Sequence, residues 1–195
     1  MASKSELRDR ALRQRDATHP EFRAGASAAI AARVLPLVAN LAPRGLAAYV
    51  AMRSEVDPAA IVDGARKRGV AVGLPVVLSG GGLAFLRHEA RDPLVPGGFG
   101  TRVPQAGAPE IAPDIIVVPL VGFDRHGTRI GYGKGHYDRT IAALRRRGIA
   151  PLLVGVAFSV QEVDTIPHEP HDVRLDLIVT EIETLDFRPQ GAALR

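Results

Sequence analysis

The hydrophobic pattern of the 195-residue chain alternates between the helical period and short apolar runs of strand length. "SKSELRDRALRQRD" spaces its apolar residues as a helix does, and Ser3 with Glu6 three residues on has the spacing of a capping box. A second helix is predicted from about Glu21 to Val38. The run "LAAYVAM" then predicts a strand, and "AAIVDGARKRG" a helix that Asp57 can cap, Pro58 can open and Gly69 can end. "VAVGLPVVL" and "LAFLRH" predict two strands around the turn "SGGG". "DIIVVPLVGFD", "LLVGVAF" and, last in the chain, "RLDLIVTE" predict three more, with "HYDRTIAALRRRG" as the helix among them. Near-continuous apolar strands separated by helices indicate a sheet buried on both faces. The expected fold is α/β, a three-layer αβα domain with a largely parallel central sheet, spanning residues 1–195 as one domain. Residues 89–113, rich in Pro and Gly, are expected to form the longest irregular segment.

Composition narrows the class. Hydrophobic residues make up 46% and charged residues 24%, as in ordinary globular chains, and no uninterrupted apolar stretch approaches the roughly 18 residues of a membrane span. The first residues lack the continuous apolar segment of a secretory signal, so a cytoplasmic location is expected. Absence of cysteine excludes disulfides, thiolate metal sites and a cysteine nucleophile. The net charge of +4 comes mostly from arginine and forms no long basic block. Nucleotides, phosphates and nucleic acid would all suit it.

Candidate chemistry concentrates in "RIGYGKGHYDR", Arg129 to Arg139, between a predicted strand and a helix. Free N–H groups of a first helical turn favour an anion there; Gly131, Gly133 and Gly135 would let backbone approach a phosphate, and Lys134 adds a mobile charge. A glycine-rich turn without a ligand is the bland alternative. A Walker A loop is excluded, because Thr128 stands where its first glycine belongs and Gly135 follows Lys134. The dinucleotide fingerprint fails at His136. Asp138 and Asp172 could hold magnesium, or Asp138 could simply be a first-turn carboxylate. His168 and His171 lack the helical spacing of a zinc site. Lys4 and Arg8 share a helix face, and Glu55 follows a strand where α/β proteins place ligand contacts. Each of these could equally be a solvated charge.

Taken in order, the motifs resemble the 5-formyltetrahydrofolate cyclo-ligase family. The resemblance rests on Lys4-x-x-x-Arg8, on "AMRSEVDP", on "DIIVVPLVGFDRHGTRIGYGKGHYDR" and on "PHEPHDVRLDLIVTE", which together span nearly the whole chain. It implies an enzyme that uses Mg2+ and ATP to convert 5-formyltetrahydrofolate into 5,10-methenyltetrahydrofolate, releasing ADP and phosphate. Activation of the formyl oxygen by phosphorylation would precede attack by N10. By the same resemblance Lys4, Arg8 and Lys134 are the catalytic cations. Arg129, Ile130, Gly131, Tyr132, Gly133, Lys134, Gly135, His136 and Tyr137, with Lys4 and Arg8, form the ATP site. Val50 and Glu55, with Tyr132 to His136, border the folate, and Asp138 and Asp172 bind magnesium. A monomer is expected, with no membrane or nucleic-acid partner. Residues 89–113 would be a candidate lid. The competing reading is a non-catalytic nucleotide- or RNA-binding module on the same fold.

Three positions depart from the family pattern. His136 stands where many members have a second tyrosine, Tyr132 where some have arginine, and Val103 where many bacterial members have glutamate. The first would replace an aromatic contact by a titratable ring, and the second would leave fewer fixed charges for phosphate.

Overall fold

The computed structural model describes residues 2–170 and 172–189. Two helices, α1 (Lys4–Asp16) and α2 (Pro20–Leu41), precede β1 (Gly45–Ala47), α3 (Ala59–Arg66) and the hairpin β2 (Ala71–Val77) and β3 (Leu83–Arg87). A second hairpin, β4 (Leu94–Pro96) with β5 (Arg102–Pro104), is followed by β6 (Ile115–Pro119) and a third, β7 (Gly122–Phe123) with β8 (Arg129–Ile130). Then come α4 (His136–Arg146), β9 (Leu152–Val156), β10 (Leu177–Val179) and β11 (Thr184–Asp186).

The central sheet has the order β11-β10-β9-β6-β1-β2-β3. Its five inner strands are parallel, and β3 and β11 close the two edges antiparallel. The period-2 alternation of side chains sorts the strands between two cores. Ile115, Val117, Val154 and Val156 meet α2 and α3 on one face. Ile116, Val118, Leu153 and Ile178 meet Ile141 and Leu144 of α4 on the other. Each fully buried aliphatic side chain contributes about 1.5–3 kcal/mol, so Ile116, 0% exposed and mid-strand, is a position where truncation to alanine would cost about 2–5 kcal/mol. This is the expected three-layer α/β architecture.

Several boundaries differ from expectation for identifiable reasons. Of the run "LAAYVAM" only Leu46 and Ala47 lie in β1, because the chain leaves the ladder to build the turn that carries Glu55. "DIIVVPLVGFD" divides after Pro119, whose missing N–H ends the ladder, and its remainder starts the β7–β8 hairpin. Residues 89–113 are not uniformly irregular: they hold the β4–β5 hairpin, and Leu86 bridges Glu110. The strand in "RLDLIVTE" is not the last, since β11 follows it. The helix α2 outruns its expected end, continues through Pro36 and stops at Ala42 in the left-handed region (φ 43°). At 22 residues and a mean hydropathy of 1.5 it is long and apolar enough to cross a membrane, unlike any uninterrupted apolar run. Its Ile30, Val34 and Val38 instead pack into the core beneath the sheet.

Strand order reverses between β1 and β6: β1 leads to β2 on one side, whereas β6 leads to β9 and β10 on the other. Open α/β sheets bind ligands in the crevice outside the carboxyl ends of strands at such a switch point. The segment after β1 carries Val50 and Glu55, and the segment after β6 carries the glycine-rich loop. Fold topology thus brings the two halves of the predicted site to one crevice.

Candidate active site

Lys4, Arg8 and Arg15 follow one another at intervals of four and seven residues, which puts them within one narrow stripe of α1. The capping box predicted at Ser3 and Glu6 is present, with Ser3 accepting from the Glu6 N–H. Leu7 and Ala11 anchor the helix against Val121, Ile130, Val163 and Ile166. With α1 fixed there, its cationic stripe runs beside the loop that joins β8 to α4.

At the first end of the stripe, Lys4 Nζ donates to Asp172 Oδ2 at 2.6 Å and to Glu169 Oε1 at 3.0 Å. Partial burial alone would lower the Lys4 pKa, but these two carboxylates outweigh it and hold the amine above its ordinary 10.5. Arg8 Nε donates to the Gly131 carbonyl at 2.8 Å, tying helix to loop. Gly133 and Gly135 take positive φ angles of 83° and 61°, a region that a residue with a Cβ resists. Gly135 is also the N-cap of α4, and no side chain caps that helix. Its first N–H groups therefore remain available to an anion. Lys134 is exposed on the loop. His136 faces the β2–β3 turn, where its Nδ1 lies 2.6 Å from the Gly81 carbonyl. A carbonyl only accepts, so Nδ1 carries the proton and the ring is docked on the turn.

Some predicted contacts have buried side chains. Ile130 is 2% exposed in the α1 core, and Tyr137 packs on the α4 side of the sheet. Burial, reinforced by the charge of Glu55, raises the Tyr137 phenol well above its ordinary 10. Only the backbone of Ile130 can face a ligand on the loop, whereas Tyr137 stays partly exposed.

The other half of the crevice centres on Glu55, which is 8% exposed. Its Oε2 accepts from the Met52 N–H at 2.9 Å, and its own N–H donates to the Met52 carbonyl at 3.1 Å, so the side chain folds back onto its turn. Its Oε1 accepts from the Tyr132 hydroxyl at 3.0 Å. That hydroxyl accepts in turn from Arg15 Nη2 at 2.9 Å, and Arg15 Nε donates to Ser54 Oγ at 3.0 Å. Burial raises the Tyr132 pKa, and this outweighs the opposing hydrogen bond from Arg15. The phenol therefore stays protonated and serves Glu55 as a donor. Val50 is half-buried against the core below. Arg15 escaped the sequence reading, although its position on the Lys4–Arg8 stripe is a signal that could have found it. Arg15 brings a charge against the Tyr132 hydroxyl, but at 1% exposure it is buried and does not replace a loop charge open to phosphate.

The two predicted magnesium carboxylates lie on adjoining segments. Asp138 Oδ1 accepts from Arg129 Nη2 at 2.8 Å and from the Val173 N–H at 3.1 Å, next to Asp172. Arg129 is largely buried and also reaches the Val173 carbonyl. No group of three or more His, Asp or Glu side chains able to hold a metal occurs among the described residues. His171, weighed for zinc, lies outside the described residues; His168 Nδ1 turns to the Glu169 carbonyl at 2.7 Å. A pair of hard oxygen donors without a cage suits magnesium, which keeps waters and phosphate oxygens among its six ligands. Cavities of about 490 and 530 Å3 lie elsewhere, the first beside Arg125, Arg145 and Arg174, and neither is lined by a predicted site residue.

Comparison with known proteins decides the family of the chain. The sequence matches the 5-formyltetrahydrofolate cyclo-ligase family over residues 1–181. The chain belongs to that cyclo-ligase family. The 5-formyltetrahydrofolate cyclo-ligase of Mycolicibacterium smegmatis is 32% identical over 189 residues, 91% of this chain and 93% of that protein. That of Haemophilus influenzae is 30% identical over 161 residues, covering 79% and 85%. The solved structure of the Aquifex aeolicus 5,10-methenyltetrahydrofolate synthetase matches with a TM-score of 0.81 at 31% identity, over 97% of this chain and 95% of that one. Cyclo-ligase membership makes the chain an enzyme of the ligase class that depends on ATP. The reading as a non-catalytic binding module finds no support.

Proposed function

We propose that the crevice binds Mg2+-ATP and 5-formyltetrahydrofolate side by side and forms 5,10-methenyltetrahydrofolate, ADP and phosphate. The observation that carries this assignment is the Tyr132 hydroxyl at 3.0 Å from Glu55, which joins the glycine-rich loop to the segment after β1. In this reading the loop Arg129–Tyr137, with the open end of α4, cradles the phosphates, and Lys134, Lys4 and Arg8 supply cations to them. Phosphoryl transfer asks the protein mainly for positioning and for charge stabilisation as negative charge moves from the γ-phosphate to the departing oxygens. Lys4 can serve it by exchanging Asp172 and Glu169 for a phosphate oxygen. Asp138 and Asp172 would hold Mg2+, whose charge would offset that of the phosphates. Glu55 accepts N–H groups of the pterin, as an ionised carboxylate can only accept, and Val50 supplies an apolar contact. The formyl oxygen takes the γ-phosphoryl group as ADP departs, N10 attacks the activated carbon and gives up its proton to solvent, and the C–O bond to phosphate breaks. The protein acts as a single-domain cytoplasmic monomer.

The test is to mix purified protein with 5-formyltetrahydrofolate, ATP and Mg2+ and to follow near-ultraviolet absorption of the methenyl product. Product formation that requires both ATP and Mg2+ is the expected result. Folded protein that yields none, in acid, neutral and mildly alkaline buffers alike, would overturn the proposal.

A further inference from the structure

Arg15 is the largest side chain buried to 1% exposure in this protein, and it sits where a helix normally presents an apolar residue to the core. Burying a guanidinium is costly unless carboxylates and acceptors compensate it. The compensation here is incomplete. The nearest carboxylate oxygen, Asp16 Oδ1, is 3.9 Å from Nε, and Asp16 is itself more than half exposed. Nη1 is buried without a hydrogen-bond partner among the described residues. A leucine would fill much of this volume without such a penalty, so stability alone does not account for the arginine.

What the guanidinium does accomplish is directional. Its Nε and Nη2 engage Ser54 and Tyr132, which lie on opposite sides of the crevice. Ser54 immediately precedes Glu55, and its own hydroxyl donates to Asp16, so the turn that carries Glu55 is bound to the end of α1. The Tyr132 oxygen, with its acceptor role taken by Arg15, must direct its one proton to Glu55 Oε1. The guanidinium carbon also lies 5.9 Å from the centre of the Tyr132 ring, at the outer reach of a cation–π contact. The ring itself remains 41% exposed, and its polar end is held at two points.

We infer that Arg15 is a positioning residue for the folate half of the site: through Tyr132 and Ser54 it fixes the orientation of the Glu55 carboxylate before substrate arrives. This rests on the assignment of Glu55 to the folate. Arg15 acts through its neighbours, since its Nη1 is closed to solvent and its other two nitrogens are taken. Preorganising an acceptor lowers the cost of binding without changing the phosphoryl-transfer machinery. Loss of Arg15 should therefore appear in the KM for 5-formyltetrahydrofolate and leave the KM for ATP alone.

The experiment measures both KM values, kcat and Tm for the wild type, Arg15→Leu, Arg15→Lys, Tyr132→Phe, Glu55→Gln and the double variant Arg15→Leu/Tyr132→Phe. Arg15→Leu is expected to raise the folate KM about tenfold, with the ATP KM within about twofold. Tyr132→Phe, at a half-exposed ring where folding is not at stake, should reproduce most of that rise. The double variant should be no worse than Arg15→Leu, because both substitutions break the same connection. Arg15→Lys should recover only part of the loss, since an ammonium lacks the planar fork that spans Ser54 and Tyr132. An unchanged folate KM in both single variants, or effects that multiply in the double variant, would overturn the inference. A lowered Tm with unchanged KM values would assign Arg15 a purely structural role and overturn it equally. Glu55→Gln separates the two levels: if it leaves the folate KM unchanged, the assignment of Glu55 itself fails, whatever Arg15 does.

Discussion

The two halves of the crevice are built on opposite principles. Around Lys4, Asp172, Lys134 and the loop glycines, charges are exposed or half-exposed and join groups that a ligand could separate, such as Lys4 with Asp172 at 2.6 Å. Around Glu55, Tyr132, Ser54 and Arg15 the polar groups are mostly buried and already hydrogen-bonded to one another in a chain. Phosphate is a strong, multiply charged ligand that can reorganise flexible cations and draws on helix N–H groups without much preparation. A pterin offers single N–H groups of modest strength, so its acceptor must be oriented in advance. Under the proposed function, one region would exchange its partners on binding, and the other would keep them.

The contrast is sharpened most at Asp138, where the phosphate half also contains a fixed point. Asp138→Asn is expected to reduce turnover about 100-fold through weaker Mg2+ binding beside the phosphates. It also weakens the clamp on Arg129 and Val173, with a fall in Tm of about 2–4 °C for each kcal/mol lost. A magnesium titration at saturating ATP checks the first effect and thermal unfolding the second. Turnover unchanged at all magnesium concentrations would make Asp138 a structural tie only. Lys134→Ala comes next. It should raise the ATP KM about tenfold, equivalent to ~1.4 kcal/mol, and leave the folate KM unmoved. A rise in the folate KM of equal size would erase the boundary between the halves.

That boundary also divides what the sequence discloses. The proposed phosphate half stands out in the sequence because a phosphate loop asks for unusual local residues, and glycines at Gly133 and Gly135 with a lysine between them are conspicuous. The α/β class was legible for a similar reason, since strands buried on both faces must be apolar throughout. In the Glu55 half the sequence points to Val50, Glu55 and Tyr132 but not to Ser54 or Arg15. Arg15 is one arginine among many in an arginine-rich helix, and burial to 1% is decided by what packs over it from Ser54 and Tyr132, 39 and 117 residues away. Strand ends escaped for a related reason. β1 stops at Ala47 although "YVAM" continues the apolar run, because hydrogen-bond partners for those residues depend on tertiary turns. The extra edge strand β11 is mostly exposed, so it carries no apolar signature.

The loop glycines allow a finer test, with smaller effects. At Gly133 the positive φ resists a side chain, so Gly133→Ala should cost about 1 kcal/mol in the free protein. At Gly131 the backbone is not in that region, and a Cβ would meet nothing within 4 Å. Gly131→Ala should therefore leave Tm unchanged. If phosphate approaches the backbone closely there, the ATP KM should still rise several-fold, and only a ligand can be the cause. An unchanged ATP KM would mean that nucleotide stands off from Gly131 and that the cradle is confined to residues 133–135.

The smallest expected effect concerns the exchangeable pair at the start of α1. The Lys4 pKa is raised above 10.5 in the folded protein, because Asp172 and Glu169 together outweigh desolvation. A raised pKa on a cationic group stabilises the fold fully below its unfolded value and loses that contribution as pH climbs through the folded value. Lys4→Met should thus lower stability by at most about 1 kcal/mol near neutrality, as for other partly exposed ion pairs. The gap between wild type and variant should hold steady from pH 7 to about 10 and narrow above it. Adding ATP offers the decisive contrast. If Lys4 leaves Asp172 for phosphate, the nucleotide should stabilise the wild type more than the variant. An equal gain in both would keep Lys4 on its carboxylates and move the phosphate contact to Arg8 and Lys134.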